Sequence, residues 1–402
     1  MDERTRFRAD VLAVCGAGRQ EIEELLRYNE NVFEQGQMPA MKFPLPDEEF
    51  VGSWQSYVQE VQSAGTARVL EQYLIQMRFP VRAGMSQDPG YLASTRLGAE
   101  PPADLATGLG LKAPERCSVV LYPTPAGHIP VITTAEREDF RLLVCALTRS
   151  NEPVAIPDSM GACMVAGYRN WDRVRRTCEP YDPATVFAGA GDAQVQKRLK
   201  NKASYQDRFV ILSNGYYSGV APEQMGLQPE KWRELSIAIR REHECAHYFT
   251  RRVFSSMRNN LIDEIIADYC GIVAACGKFR SDWMLRFFGL EGFPSYRAGG
   301  RLENYRGLPP LSSAAFQVLQ RLVKQAAENL EAAEREIAAS SDMRHPLGAI
   351  PPLSLLTLEE LASPQALQFL ENPCLIATTA AGRQCSVARD REMAQGAQNT
   401  GN

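Results

Sequence analysis

The sequence predicts a mainly helical α+β fold. Apolar residues recur at helical spacing over residues 21–28, 47–61 and 67–77, and again over 313–339. Between these regions lie short apolar runs bounded by turn residues, which are typical of strands. The runs do not alternate regularly with helices, so the sequence does not indicate a parallel βαβ series.

The middle of the chain holds the predicted strands. They cover residues 118–122, 129–133 and 154–156, and one predicted helix among them covers 134–147. An irregular stretch that contains Gly161 and Gly167 follows. The apolar run 209–212 is the strongest strand signal in the chain, and Asn214-Gly215 directly after it favours a tight turn.

Local signals define several later helices. Pro229 suits the first position of a helix, and we expect that helix to reach about residue 253. A second helix is predicted over 261–275, with Gly277 ending it. Thr357 and Glu360 have the spacing of a capping box, which predicts a short helix after Thr357.

These patterns divide the chain into five predicted regions. They are a helical N-terminal region (1–98), a linker or long loop rich in Pro, Gly and Ala (99–115), an α+β catalytic core (116–300), a helical C-terminal region (301–385) and a polar, disordered tail (386–402).

Composition excludes several classes of protein. The net charge is -4, and the arginines at 240, 241, 251 and 252 lie in a Glu-rich segment, which indicates a solvated helix face and no nucleic-acid surface. No apolar run is long enough to cross a membrane, and the first residues lack the apolar core of a secretory signal. The ten cysteines are scattered without a CxxC pair, as in reduced cytosolic proteins. We therefore expect a cytoplasmic protein; the sequence does not predict its oligomeric state.

The segment His243-Glu244-Cys245-Ala246-His247 is the strongest functional signal. Residues four apart lie on one face of a helix, so the two imidazoles can converge on one metal ion. Glu244 can then take a proton from the attacking water. Cys245 faces away from the metal in this motif, which favours a packed thiol over a nucleophile.

The next predicted helix can supply a third metal ligand. Glu264 and Asp268 share one face, and a short loop between the helices lets the second helix fold back beside the first. Glu264 can provide the third ligand of a catalytic zinc site. Asp268 can accept the remaining ring N–H of His243. Imidazole and carboxylate ligands favour zinc, although iron or manganese stays open.

HExxH followed by Glu-x-x-Ala-Asp resembles the gluzincin zinc metallopeptidases, a group that includes thermolysin-like and HtpX-like enzymes. The match covers residues 243–268, and the interval between His247 and Glu264 is slightly shorter than in the thermolysin-like pattern. The resemblance implies a zincin-like core, zinc as cofactor and a peptide or protein as substrate. It implies His243, His247 and Glu264 as ligands, Glu244 as general base, and Asp268 as a residue that supports a ligand.

The resemblance also suggests residues around the reaction centre. A donor that stabilises the oxyanion is expected, and His345, Tyr296 and Tyr305 are candidates. By analogy with gluzincin-like folds, the strand within 209–220 is a candidate for binding an extended substrate by β-addition, while an ordinary sheet strand is an equal alternative.

Two other functions remain open from the sequence. The same site could serve a zinc enzyme that acts on a small amide or a peptide-derived metabolite. The chain could also be a catalytically inactive zincin scaffold used for binding. The intact metal-ligand pattern argues against the inactive scaffold.

Overall fold

The structure is a computed structural model that describes residues 1–33, 42–177, 200–256, 259–340 and 350–372. It is a mixed α/β fold in which 58% of the described residues are helical, with one four-stranded sheet among them. The predicted α+β, mainly helical class is therefore confirmed. None of the described helices combines the length and apolar character needed to cross a membrane.

The helices and strands are as follows. The helices are α1 (Glu3–Val14), α2 (Arg19–Tyr28), α3 (Val51–Ala64), α4 (Thr66–Tyr73), α5 (Pro89–Leu97), α6 (Arg137–Thr148), α7 (Trp171–Thr177), α8 (Pro222–Met225), α9 (Pro229–Phe254), α10 (Asn260–Cys276), α11 (Ser281–Phe288), α12 (Ser313–Ser340), α13 (Ile350–Leu355), α14 (Leu358–Ala362) and α15 (Ala366–Glu371). The strands are β1 (Ser118–Thr124), β2 (Gly127–Thr134), β3 (Ala162–Arg169) and β4 (Gln206–Ser213). Short 3₁₀ helices include Tyr217–Gly219 and Arg301–Tyr305.

The chain forms two compact units. One contains residues 1–38 together with 250–402, and the other contains residues 39–249. The region 1–98, predicted as one helical part, thus contributes to both units. The predicted tail 386–402 lies outside the described residues.

The unit of residues 39–249 is organised around the sheet, whose strand order is β1-β2-β4-β3. β1 pairs with β2 in antiparallel orientation, β2 with β4 in parallel, and β4 with β3 in antiparallel orientation. Phe209 and Ile211 of β4 are fully buried and pack in one core cluster with Trp54 and Phe140. This burial on an interior strand explains why 209–212 gave the strongest strand signal.

A buried polar cluster ties β4 to its surroundings. Asp207 is fully buried and accepts hydrogen bonds from Trp54 Nε1 at 2.9 Å, Asn170 Nδ2 at 2.6 Å and Arg173 Nη1 at 2.6 Å. Burial is the largest influence on this carboxyl group and raises its pKa, while the Arg173 cation opposes that shift. The cluster joins α3 and α7 to the strand through charge-assisted bonds.

Two sequence expectations about this unit were wrong. Residues 154–156 are irregular, and the third strand is β3, which the sequence did not reveal. Gly167 interrupts the apolar pattern of β3 with a bulge at φ +86°, and this obscured the strand. After β4 the chain bends at Asn214-Gly215 and enters a 3₁₀ helix instead of reversing into a further strand.

In the unit of residues 1–38 and 250–402, N-terminal helices pack with helices from late in the chain. Arg8 of α1 pairs with the fully buried Glu359 of α14 at 3.2 Å, and Asn29 donates to the same carboxylate at 3.0 Å. Thr357 and Glu360 cap α14 reciprocally, as their spacing predicted. The predicted stop of α10 is also confirmed, because Gly277 caps it in the left-handed conformation.

Candidate metal centre

Helix α9 presents two histidines side by side. His243 and His247 are one turn apart, and both are more than nine-tenths buried. Their Nε2 atoms lie 3.1 Å from each other, and their ring planes cross at 82°. Two nitrogens bound to one tetrahedral zinc ion would lie about 3.3 Å apart, since each Zn–N bond is about 2.0–2.1 Å. The pair therefore has the spacing that a shared ion requires.

Tyr217 contacts the imidazole ring of His243. The hydroxyl of Tyr217 lies 3.0 Å from Nδ1 of His243, and Tyr217 is itself buried. Its backbone N–H donates to Ser236 Oγ at 2.9 Å, which fixes the 3₁₀ turn against α9. The Nδ1 contact leaves Nε2 of His243 directed toward His247.

Arg240 anchors the loop that carries Tyr217. Its guanidinium donates to the carbonyls of Ser213, Gly215 and Tyr216, which follow one another along this loop. A Cβ atom on Gly161 would lie 2.1 Å from Arg240 Nε, so only glycine leaves room for the arginine. Arg240 was interpreted from sequence as part of a solvated face, but it is buried and serves this loop.

Glu244 is buried beside the histidines. The pKa of Cys163 in β3 is raised to about 12. Burial is the larger cause, and the negative charge of the Glu244 carboxylate adds to it. The neighbouring Glu242 instead accepts a hydrogen bond from Tyr122 of β1 at 2.5 Å. Cys245 is fully buried, as expected for a packed thiol.

Helix α10 contributes the carboxylates. Tyr305 donates a hydrogen bond to Oε2 of Glu264 at 2.7 Å, and Tyr28 donates to the backbone carbonyl of Tyr305. Burial and the adjacent Glu264 raise the pKa of Tyr305 well above its usual value, so the phenol stays a neutral donor. One oxygen of Glu264 is thus held by Tyr305.

Asp268 is fully buried and forms an ion pair with Arg301. The guanidinium of Arg301 also lies over the ring of Phe288, 5.1 Å from its centroid. The hydrogen bond expected from His243 to Asp268 stays a prediction. Nδ1 of His243 has the Tyr217 hydroxyl within hydrogen-bond distance.

The three predicted ligands occur as one group. Ligand atoms of His243, His247 and Glu264 all lie within 4.8 Å of one another. Two imidazoles and one carboxylate are the donor set of many catalytic zinc sites, which leave a further position for water or substrate. The residues present therefore fit a zinc ion in chemistry and in spacing.

The remaining predicted residues have different positions. The Tyr296 hydroxyl donates to the Gly300 carbonyl at 2.7 Å and accepts from the Glu303 N–H at 3.1 Å. Both bonds lie within its own loop, and they do not support its expected place at the reaction centre. His345 lies outside the described residues.

Of the two alternatives for the strand within 209–220, the structure supports the ordinary sheet strand. β4 pairs with β2 on one side and with β3 on the other, so neither of its edges is open to an added strand. Because β3 was not recognised in the sequence, β4 could be mistaken for an edge. Among the described strands, β1 and β3 are the edges of the sheet.

Comparison with known proteins places this chain in a family. The sequence profile of that family matches residues 10–365. The chain belongs to the DUF7005 family, which is described as a family of unknown function. No curated protein and no solved structure matches the chain.

Tyr217 and Tyr305 are the supporting residues that sequence reasoning left without their observed roles. In the sequence, Tyr217 belonged only to the segment 209–220 considered for substrate binding, and Tyr305 was only a candidate donor to the oxyanion. Tyr217 lies 26 residues before His243, and no helical or strand periodicity relates residues that far apart. Only the folded loop shows which of the two adjacent tyrosines contacts the ring.

Proposed function

We propose that the chain is a zinc-dependent hydrolase, a metallopeptidase with a zincin-like arrangement of α9 and α10. The observation that carries the proposal is the 3.1 Å approach of the His243 and His247 Nε2 atoms, with the Glu264 carboxylate in the same group. The HExxH and Glu-x-x-Ala-Asp patterns support it independently.

In this proposal His243, His247 and Glu264 hold the zinc ion. When bound, zinc polarises a substrate carbonyl and makes water more acidic. Glu244 removes a proton from the attacking water and returns it to the leaving amine. Burial of Glu244 shields this carboxylate from bulk water, which strengthens its interaction with the developing charge.

The supporting side chains keep the ligands in place. Tyr217 orients the imidazole of His243, and Tyr305 orients the carboxylate of Glu264. Both partners are neutral phenols, so they add no negative charge to the site. A metal centre with neutral supporting groups keeps more of its positive charge for polarising the substrate.

The first experiment measures metal in the purified chain. We expect one zinc ion per chain by elemental mass spectrometry, and loss of that ion in His243→Ala. His128→Ala is the matched control, because His128 lies in an exposed pair with Asp47 at 3.0 Å. Wild-type protein without stoichiometric metal would overturn the proposal at its first step.

The second experiment tests Glu244 as the general base. Glu244→Gln should keep the zinc ion and lower peptide hydrolysis by about 10²–10⁴-fold, the usual contribution of a positioned acid–base group. Glu242→Gln, two residues earlier on α9 and bonded to Tyr122, should keep the activity. Full activity in Glu244→Gln would exclude this mechanism.

A further inference from the structure

A groove leads away from Glu264 in the unit that contains α2 and α10. One part is a cavity of about 540 Å³ with Glu264, Tyr305 and Asn304 in its lining. The other part is a cavity of about 600 Å³ along α2 and the loop 307–312. The two cavities share Tyr28 and Leu308 as lining residues, together with Asn260 and Gly307, and therefore lie side by side.

The groove has two walls, one from helix α2 and one from the loop 307–312. One wall is a single face of α2, because its lining residues follow helical spacing. These residues are Gln20, Glu23, Glu24, Arg27 and Tyr28. The opposite loop is fastened at one end by Ser312, whose N–H and hydroxyl donate to Glu24 at 2.6 and 2.8 Å. At the other end Tyr28 donates to the Tyr305 carbonyl.

The lining chemistry matches a peptide chain. The amides of Gln20, Asn260 and Asn304 offer hydrogen-bond donors and acceptors of the kind that peptide groups need. Leu308 lines both cavities and is fully exposed to solvent. A bound chain that covers this leucine would remove its apolar surface from water.

We infer that this groove binds an extended peptide segment of several residues and delivers it to the proposed metal centre beside Glu264. Each cavity alone has the size of a site for a small molecule. Two such cavities side by side favour an oligopeptide or an unfolded protein segment over a single small amide. The inference rests on the proposed function, because it gives the substrate class of the same site.

Binding is measured separately from hydrolysis. The test uses zinc-loaded Glu244→Gln protein and fluorescently labelled mixed-sequence peptides: a dipeptide, a tetrapeptide and an octapeptide. Fluorescence anisotropy gives the Kd of each. We expect the Kd to fall as the peptide lengthens, because longer chains occupy both cavities.

Leu308→Ser is the decisive variant, and its full exposure means that the substitution leaves the packing intact. It should raise the Kd of the octapeptide by about tenfold, the effect of losing one leucine side-chain contact. Val14→Ser is the matched control, because Val14 is also exposed and apolar but lines neither cavity. A Kd that does not depend on length, or equal effects of the two variants, would overturn the inference.

The same peptides separate this inference from the proposed function. If wild-type protein binds them in a length-dependent manner and hydrolyses none, peptide binding in the groove is supported and the metallopeptidase proposal is refuted. If hydrolysis occurs with a KM that is independent of length and of Leu308, the metallopeptidase proposal is supported and peptide binding in the groove is refuted.

Discussion

The hydroxyl of Tyr217 lies 3.0 Å from Nδ1 of His243, on the side of the ring opposite His247. Nε2 of the same ring lies 3.1 Å from Nε2 of His247. Both nitrogens of His243 thus have defined neighbours, which fixes the orientation of the imidazole. In the proposed metal centre, a neutral phenol would perform the orienting role that a carboxylate or carbonyl has in many zinc sites.

Tyr217→Phe should therefore weaken zinc binding by about 10–100-fold, the usual effect of removing a hydrogen bond to a metal-ligating histidine. Competition with a chromophoric chelator measures the Kd. Tyr216→Phe is the matched control, since the Tyr216 hydroxyl only accepts a long 3.4 Å bond from Arg233. Equal zinc affinity in Tyr217→Phe and wild type would contradict the positioning role.

Tyr305→Phe should lower zinc affinity by about tenfold or more, because Glu264 loses the donor that holds Oε2. Tyr296→Phe removes a phenol of the same region whose bonds stay within its own loop, and it should leave zinc affinity unchanged. If Tyr296→Phe instead lowers kcat while zinc is retained, its sequence-predicted role as oxyanion donor would be supported.

Cys163 reports on the charge of Glu244. The Glu244 carboxylate contributes to the raised pKa of Cys163, about 12, so Glu244→Gln should lower that pKa. A lower pKa means more thiolate and alkylation of Cys163 that is several-fold faster at mildly alkaline pH. Peptide mass spectrometry after timed iodoacetamide treatment measures the rate.

The control for this experiment is Glu242→Gln, because Glu242 does not contribute to the Cys163 shift. It should leave the alkylation rate at its wild-type value. The same rate in Glu244→Gln and Glu242→Gln would show that the two carboxylates are equivalent and that Glu244 does not act on this thiol.

Asp207→Ala should destabilise the unit of residues 39–249 by about 3–5 kcal/mol, because it removes the buried carboxylate that pairs with Arg173 at 2.6 Å. Urea unfolding followed by tryptophan fluorescence measures the loss, since Trp54 donates to Asp207. Asp282→Ala removes an exposed partner of Arg280 and should cost less than about 1 kcal/mol. Similar losses in both variants would refute the importance of this cluster.

Local signals predicted much of the helical part and little of the sheet's order. Pro229 marks the start of α9, and Gly277 ends α10, because each acts through its own backbone conformation. β3 was missed since Gly167 breaks its pattern, and this one omission turned β4 into an apparent edge strand. Strand order depends on pairings between distant segments, which no local pattern encodes.

The candidate ligands can be identified without any structure. His243, His247 and Glu264 follow from the four-residue repeat of an α-helix and from the chemistry of imidazole and carboxylate. The tertiary structure decided which side chains support them: Tyr217 at His243 and Tyr305 at Glu264. These contacts come from two short 3₁₀ helices, whose positions are set by long-range packing and by anchors such as Arg240. Helical periodicity can be read along the chain, whereas the meeting of a loop and a helix exists only after folding.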